Sequence, residues 1–151
     1  MKRTAVALAI AFGVVCSGSV LAQETASVGA PAPAGAKAYF ISPKDGETVS
    51  SPFIVRFGLK GMGIAPAGIE FENTGHHHVL VDREAVDANS PMMKEYMPAD
   101  QADLVHFGKG QTEAEMTLPP GQHTLQLVLG DTDHHPHNPP VFSDRITITV
   151  K

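Results

Sequence analysis

Six of the eight histidines in this chain of 151 residues fall into two tight groups, His76-His77-His78 and His134-His135-Pro136-His137. A seventh, His106, stands just ahead of a β-rich run. Neutral imidazoles are nitrogen donors suited to borderline ions such as Zn(II) and Cu(II), and they bind these ions without help from cysteine. Side chains two apart in a strand share a face, so His76 and His78 point one way and His77 the other. His76 and His78 are therefore the preferred pair of the first group. From the second group His134 and His137 are preferred, because Pro136 stiffens the turn between them. Asp131 is a candidate oxygen ligand or a partner that orients an imidazole, and His77, His135 and Met62 complete the outer candidates.

The remaining sulfur and nitrogen donors carry weaker signals. Met92, Met93 and Met97 crowd one loop, where they read first as gap-fillers and second as soft donors selecting Cu(I). Met62, in a Gly-Met-Gly turn, is open to both readings. His123 is in phase with Leu125, Leu127 and Leu129 and follows a Pro-Pro-Gly turn, so it is expected to be a buried structural histidine at the opposite end of the fold from the other groups.

The elements that must bring these groups together are strands. Residues 38–41 and 53–59 alternate apolar with more polar side chains, with Phe53, Val55, Phe57 and Leu59 in phase. A Gly- and Pro-rich connection leads to residues 69–72, and residues 76–82 form a further strand. Residues 83–105 mix Asp, Asn, Pro and Met, with room for one short helical turn, and are long enough to suggest a functional loop. Residues 112–118, 122–129 and 145–150 alternate again, the second of these most strongly. Short strands between turn signals predict an all-β, immunoglobulin-like antiparallel β-sandwich of about seven strands in a single domain. If the strand opening at His76 lies antiparallel to the one closing at Leu129, the two histidine groups and His106 converge at one end of the sandwich.

The chain also carries an address. Lys2 and Arg3 precede an apolar run ending near Cys16, and Val20-Leu21-Ala22 suits signal peptidase, so residues 1–22 read as a signal peptide cleaved near Ala22. The run is too short for a membrane anchor, and no transmembrane segment is expected in the mature chain. The lipoprotein alternative is disfavoured because Val15 precedes Cys16. Residues 23–36, rich in Ala, Gly and Pro, read as a flexible lead-in, and residues 37–151 as the folded domain. The expected location is periplasmic or secreted. Loss of Cys16 with the signal leaves a mature chain without thiol, and loss of Lys2 and Arg3 moves the net charge from −5 to −7. Nucleic acid is excluded as a partner on that charge.

The stretches Phe40-Ile41-Ser42-Pro43-Lys44-Asp45-Gly46, Asn73-Thr74-Gly75-His76-His77-His78 and His106-Phe107-Gly108 carry a resemblance, joined by Pro120-Gly121 with His123-Thr124-Leu125 and by Gly130-Asp131 with His134 and Pro136-His137. Together they resemble the DUF4399 domain of exported bacterial proteins over nearly all of residues 37–151. The resemblance implies that His76 to His78, His106, His123, Asp131, His134 and His137 belong to the family pattern, whereas His135 and the methionine group do not. It implies a domain and a compartment, and no activity.

Three functional classes follow from the residues. The first is a non-catalytic protein that binds copper or zinc through these histidines, with the metal ion as its partner. The second is a metal-dependent enzyme of cupin or dismutase type, because three histidines with an open position also make catalytic sites. Its support is thin: Glu84 is loosely spaced from His76 and His78 for a cupin, the dismutase disulfide is missing, and no serine has an activating motif. The third is a structural or adhesive envelope module with histidines tuning its response to pH.

Overall fold

A computed structural model describes residues 29–151. The apolar leader, Cys16 and the first part of the lead-in lie outside the described residues. Ten strands are present among those described: β1 (Lys37–Ser42), β2 (Thr48–Val49), β3 (Phe53–Lys60), β4 (Gly63–Ile64), β5 (Thr74–Val81), β6 (Asp100–Gln101), β7 (Leu104–His106), β8 (Glu113–Met116), β9 (Gly121–Gly130) and β10 (Ile146–Val150). Seven of them have three residues or more; six coincide with the runs that the alternating pattern marks, and the seventh, β7, falls at the end of the stretch expected to be irregular. Residues 69–72, expected to be a strand, pair with no strand and run between turns at 67–68 and 72–73. Their apolar members, Ile69 and Phe71, are exposed and have no core to face.

The strands form an immunoglobulin-like β-sandwich. One sheet has the order β1-β3-β8 and the other β2-β10-β9-β5-β7-β6, with β4 attached to β5. The long pairings are antiparallel, while the two-residue strands β2 and β4 add parallel ladders to β10 and β5. Between the sheets lies the main core, where Val55 and Phe57 of β3 meet Val79 and Val81 of β5 and Leu125, Leu127 and Leu129 of β9. The period of two along each strand assigns these side chains to the inner face.

Odd and even positions of β5 and β9 thus face different surroundings, yet seven of the eight residues of β5 are buried. The outer face of the larger sheet is covered as well. There Leu80, Leu104 and Val128 pack with Met93 and Met97, which come from residues 82–99. A short 3-10 helix, Pro91–Lys94, is the one helical turn in this stretch. Gln126 anchors it: its side-chain amide accepts from the Val86 N–H at 2.8 Å and donates to the Val86 carbonyl at 2.8 Å. The long loop is therefore a packed cover, and its buried methionines fill space as the sequence suggests.

The end of the lead-in is tied down. The Ala30 N–H donates to Asp131 Oδ2 at 2.9 Å, the Asn138 N–H to the Ala30 carbonyl, and the Ala32 N–H to the Asn138 carbonyl. Its small residues, which sequence composition marks as unable to pack, allow this close approach. At Gly29 a side chain would collide with the Pro136 carbonyl.

Candidate metal centre

The register of β5 against its neighbours brings the histidines together. His76 pairs with Gly130 and His78 with Val128 on β9, while on the other side His78 pairs with His106 of β7. His76 and His78 project from the outer face, the same face as Leu80, and His106 joins them from the end of β7. His134 arrives from the loop after β9, at a backbone φ of +66° that turns the chain back over the sheet. One ligand nitrogen from each of His76, His78, His106 and His134 lies within 4.8 Å of the others. His106 Nε2 and His134 Nε2 are 3.1 Å apart. In a tetrahedral zinc site with metal to nitrogen bonds near 2 Å, neighbouring nitrogens are separated by about 3.3 Å, so the four rings need only small adjustments to close on one ion.

Two glycines make room for the rings. A Cβ at Gly130 would lie 2.6 Å from His78 Cε1 and 3.0 Å from Met97 Cε, and one at Gly108 would overlap the His106 imidazole. Both positions therefore need a backbone without a side chain so that an imidazole can lie against it.

The electrostatics favour the neutral form of His76, His78 and His106. His76 and His78 are fully buried, and none of their ring nitrogens has a hydrogen-bond partner. Burial lowers the pKa of His76 to about 4, assisted by His134 and His106. His78 is lowered to about 2 by burial and then by the neighbouring His76 and His106. His106, partly exposed, is also lowered, by desolvation and by His134. The lone pairs of these three rings are free for a metal at neutral pH because burial disfavours their protonated forms.

The other candidates are elsewhere. His77 points to the inner face, with its ring centroid 5.1 Å from that of Phe57. It is excluded from the centre by the two-residue period of the strand. His137, preferred from sequence, is not part of the four-histidine group. Its Nδ1 donates to the Ala30 carbonyl at 3.0 Å, which leaves Nε2 as a bare nitrogen buried against Gly75. The turn expected from Pro136 is present, but it sends His134 and His137 to different partners. His135 meets Tyr96 edge to face with ring centroids 5.8 Å apart, beside His134 rather than among the four rings.

Asp131 is 6% exposed, and its carboxylate is occupied by backbone donors: Ala30 on Oδ2, and Asp133 and His135 on Oδ1. Desolvation pushes its pKa up, but these N–H groups outweigh it and hold the carboxyl below its ordinary value. Met62 packs against the main core. Met93 and Met97 belong to the outer cluster, with the Met97 N–H donating to the His134 carbonyl at 2.8 Å. Glu84, which a cupin-like site would recruit, is exposed on the loop after β5 and outside the four-residue group.

His123 occupies the far end of β9, seven positions or about 23 Å from Gly130. Its Nδ1 lies 2.7 Å from Asp82 Oδ2 and its Nε2 2.9 Å from the Pro119 carbonyl, so it is the structural histidine expected from its phase with the leucines. No signal in the sequence announced Asp82 as its partner. A positive φ of 54° at Asp82 could be suspected only from its place just after a strand.

No helix among the described residues is long and apolar enough to cross a membrane. None of the curated proteins matches the chain. Among solved structures it is similar to an endo-β-1,4-mannanase from Thermotoga petrophila, at 19% identity and a TM-score of 0.43 over 77% of this chain. The chain spans only 20% of that enzyme. It is also similar to the fibronectin(III)-like modules of Clostridium thermocellum CbhA, at 16% identity and a TM-score of 0.34, covering 76% of this chain and 95% of the module. The profile of a domain of unknown function, DUF4399, matches residues 55–151, a span that contains all four clustered histidines, and the chain therefore belongs to the DUF4399 family.

Proposed function

We propose that this protein is an exported, non-catalytic metal-binding protein that holds Cu(II) or Zn(II) in the periplasm or outside the cell. The observation that carries the reading is the convergence of four histidine nitrogens from three separate segments within 4.8 Å. Four neutral nitrogen donors fill a tetrahedral or planar coordination sphere, whereas catalytic zinc sites keep a position open for water or substrate. This favours holding an ion over turning over a substrate. With no thiolate in the set, copper binds more tightly than zinc by the usual order of divalent affinities, and supply decides which is carried.

The test is metal analysis of untagged protein recovered after export, followed by titration of the stripped protein with Zn(II) and Cu(II). One equivalent should bind and raise the melting temperature, since a ligand taken only by the folded state stabilises it. A His76→Ala, His106→Ala, His134→Ala protein that bound one equivalent as tightly as the parent would end the proposal. So would a parent protein that binds neither ion.

A further inference from the structure

Asp131 sits beside the centre without touching it as a ligand, and its three hydrogen bonds run in two directions. Two of them, from the Asp133 N–H at 3.0 Å and the His135 N–H at 2.9 Å, close a tight turn around His134. The Asp131 N–H completes that turn by donating to the His135 carbonyl at 2.8 Å. The third reaches across 101 positions of sequence to the Ala30 N–H. The Ala30 carbonyl in turn accepts from His137 Nδ1 and the Asn138 N–H, so the segment around residues 30–32 is strapped to both ends of the histidine loop. The carboxylate is also near enough to His76 to favour positive charge there, the one influence on that ring that does so.

We infer that Asp131 is the positioning residue of the metal centre and that it couples metal binding to the docking of the segment around Ala30. The inference rests on the metal-binding reading above. His134 is the one member of the four that no strand holds, since His76, His78 and His106 are fixed by the ladders of β5 and β7. Its position depends on the turn that Asp131 closes. An ion drawing His134 toward the other three rings therefore orders that turn, and with it the carboxylate that grips Ala30. The buried negative charge also offsets part of the charge that a divalent ion brings among four neutral ligands. Groups that orient ligands in this way are worth about 10- to 100-fold in metal affinity.

The experiment has two arms. In the unmodified protein, amide exchange at Ala30 and Ala32 is measured with and without one equivalent of Zn(II), and both amides should exchange at least about tenfold more slowly with metal. Exchange at Ala30 unchanged by bound Zn(II) overturns the coupling, and this arm needs no variant. In the second arm, Zn(II) affinity and the Cu(II) visible band are compared in Asp131→Asn and Asp131→Ala. The asparagine carbonyl can still accept from Asp133 and His135, while its amide opposes the Ala30 N–H. Asn should therefore hold an affinity between the parent and Ala, with Ala weakened about 10- to 100-fold and its copper band shifted. Parental affinity and an unshifted band in Asp131→Ala, with the parent binding normally, overturn the positioning role and leave the metal site standing. A parent that binds no metal removes both.

Discussion

His77 offers a perturbation whose sign separates the two faces of β5. Its imidazole is fully buried against Phe57, and neither ring nitrogen has a partner. Leaving a buried polar group unpaired costs about 1–3 kcal/mol, so His77→Leu, close in size and wholly apolar, should stabilise the metal-free domain by up to that amount at pH 7. Imperfect repacking takes back about 1 kcal/mol. Burial lowers the His77 pKa to about 4, from 6.5 in an unfolded chain. As pH falls below 6.5 the unfolded state therefore takes up a proton that the folded state refuses, and parental stability declines toward pH 4. At pH 5.5, one unit below 6.5, that adds about 1.4 kcal/mol to the advantage of the variant. At about 4 °C per kcal/mol, a melting curve resolves both effects. Zn(II) and Cu(II) affinity should remain parental, because the side chain faces away from the centre. A variant that melts lower than the parent at pH 5.5, or that loses metal, would refute the assignment of His77 to the core.

Other substitutions probe the remaining pieces. Gly108→Ala should weaken metal binding tenfold or more with little change in melting, since the partly exposed His106 can swing outward, whereas Gly130→Ala should lower both, because His78 and Met97 are buried; titration and melting of both variants would show it. His137→Ala should keep one equivalent of bound metal while losing about 1–2 kcal/mol of stability, as the Ala30 carbonyl loses its imidazole donor. Both ring nitrogens of His123 face acceptors, and its hydrogen bond to Asp82 raises its pKa. The stabilisation is therefore complete below pH 6.5 and lost as pH rises through the raised value, by about 1 kcal/mol or less because Asp82 is half exposed. The Asp82 carboxyl is shifted the other way: desolvation raises it, but the Thr124 N–H and His123 lower it further, so its share is lost only as pH falls through that lowered value. Parent and His123→Asn melting curves recorded from pH 6 to 9 should converge at the alkaline end, and parallel curves would contradict the charged pair.

Much of this arrangement was legible in the sequence because it follows from the period of two. Alternation in residues 53–59 and 122–129 located the inner face, and the same rule divided His76 and His78 from His77. The antiparallel neighbour relation between the strand opening at His76 and the one closing at Leu129 is the observed register. What the sequence did not carry is the side of the sheet. Convergence was expected at one end of the sandwich, whereas the four rings lie on the outer face of the larger sheet near that end, where Tyr96 meets His134. A strand buried on both faces reads as continuous burial, and β5 gives no alternation to show which face meets the second sheet. His137 falls outside the four-histidine group for a related reason. Ring direction in a loop depends on distant backbone, here the Ala30 carbonyl 107 positions away, and no local spacing reports it.

The unpaired nitrogens of His76 and His78 bear on why such a centre is buried at all. Neutral, partnerless imidazoles weaken the metal-free fold, and both lie in the middle ladder of the larger sheet, where local opening would disturb β9 and β7 together. A bound ion satisfies one nitrogen on each ring and draws in the two partly exposed ones. At free metal about a thousandfold above its dissociation constant, occupancy adds roughly 4 kcal/mol, comparable to the whole margin of a weakly stable domain. Metal-loaded protein should accordingly resist proteolysis far better than stripped protein, and the stripped form should grow more susceptible as pH falls below 6.5, where His76 is neutral when folded and protonated when unfolded. Equal protease half-lives for the two forms at pH 5.5, with metal shown to be bound, would mean that the four rings contribute nothing to holding the sheet together.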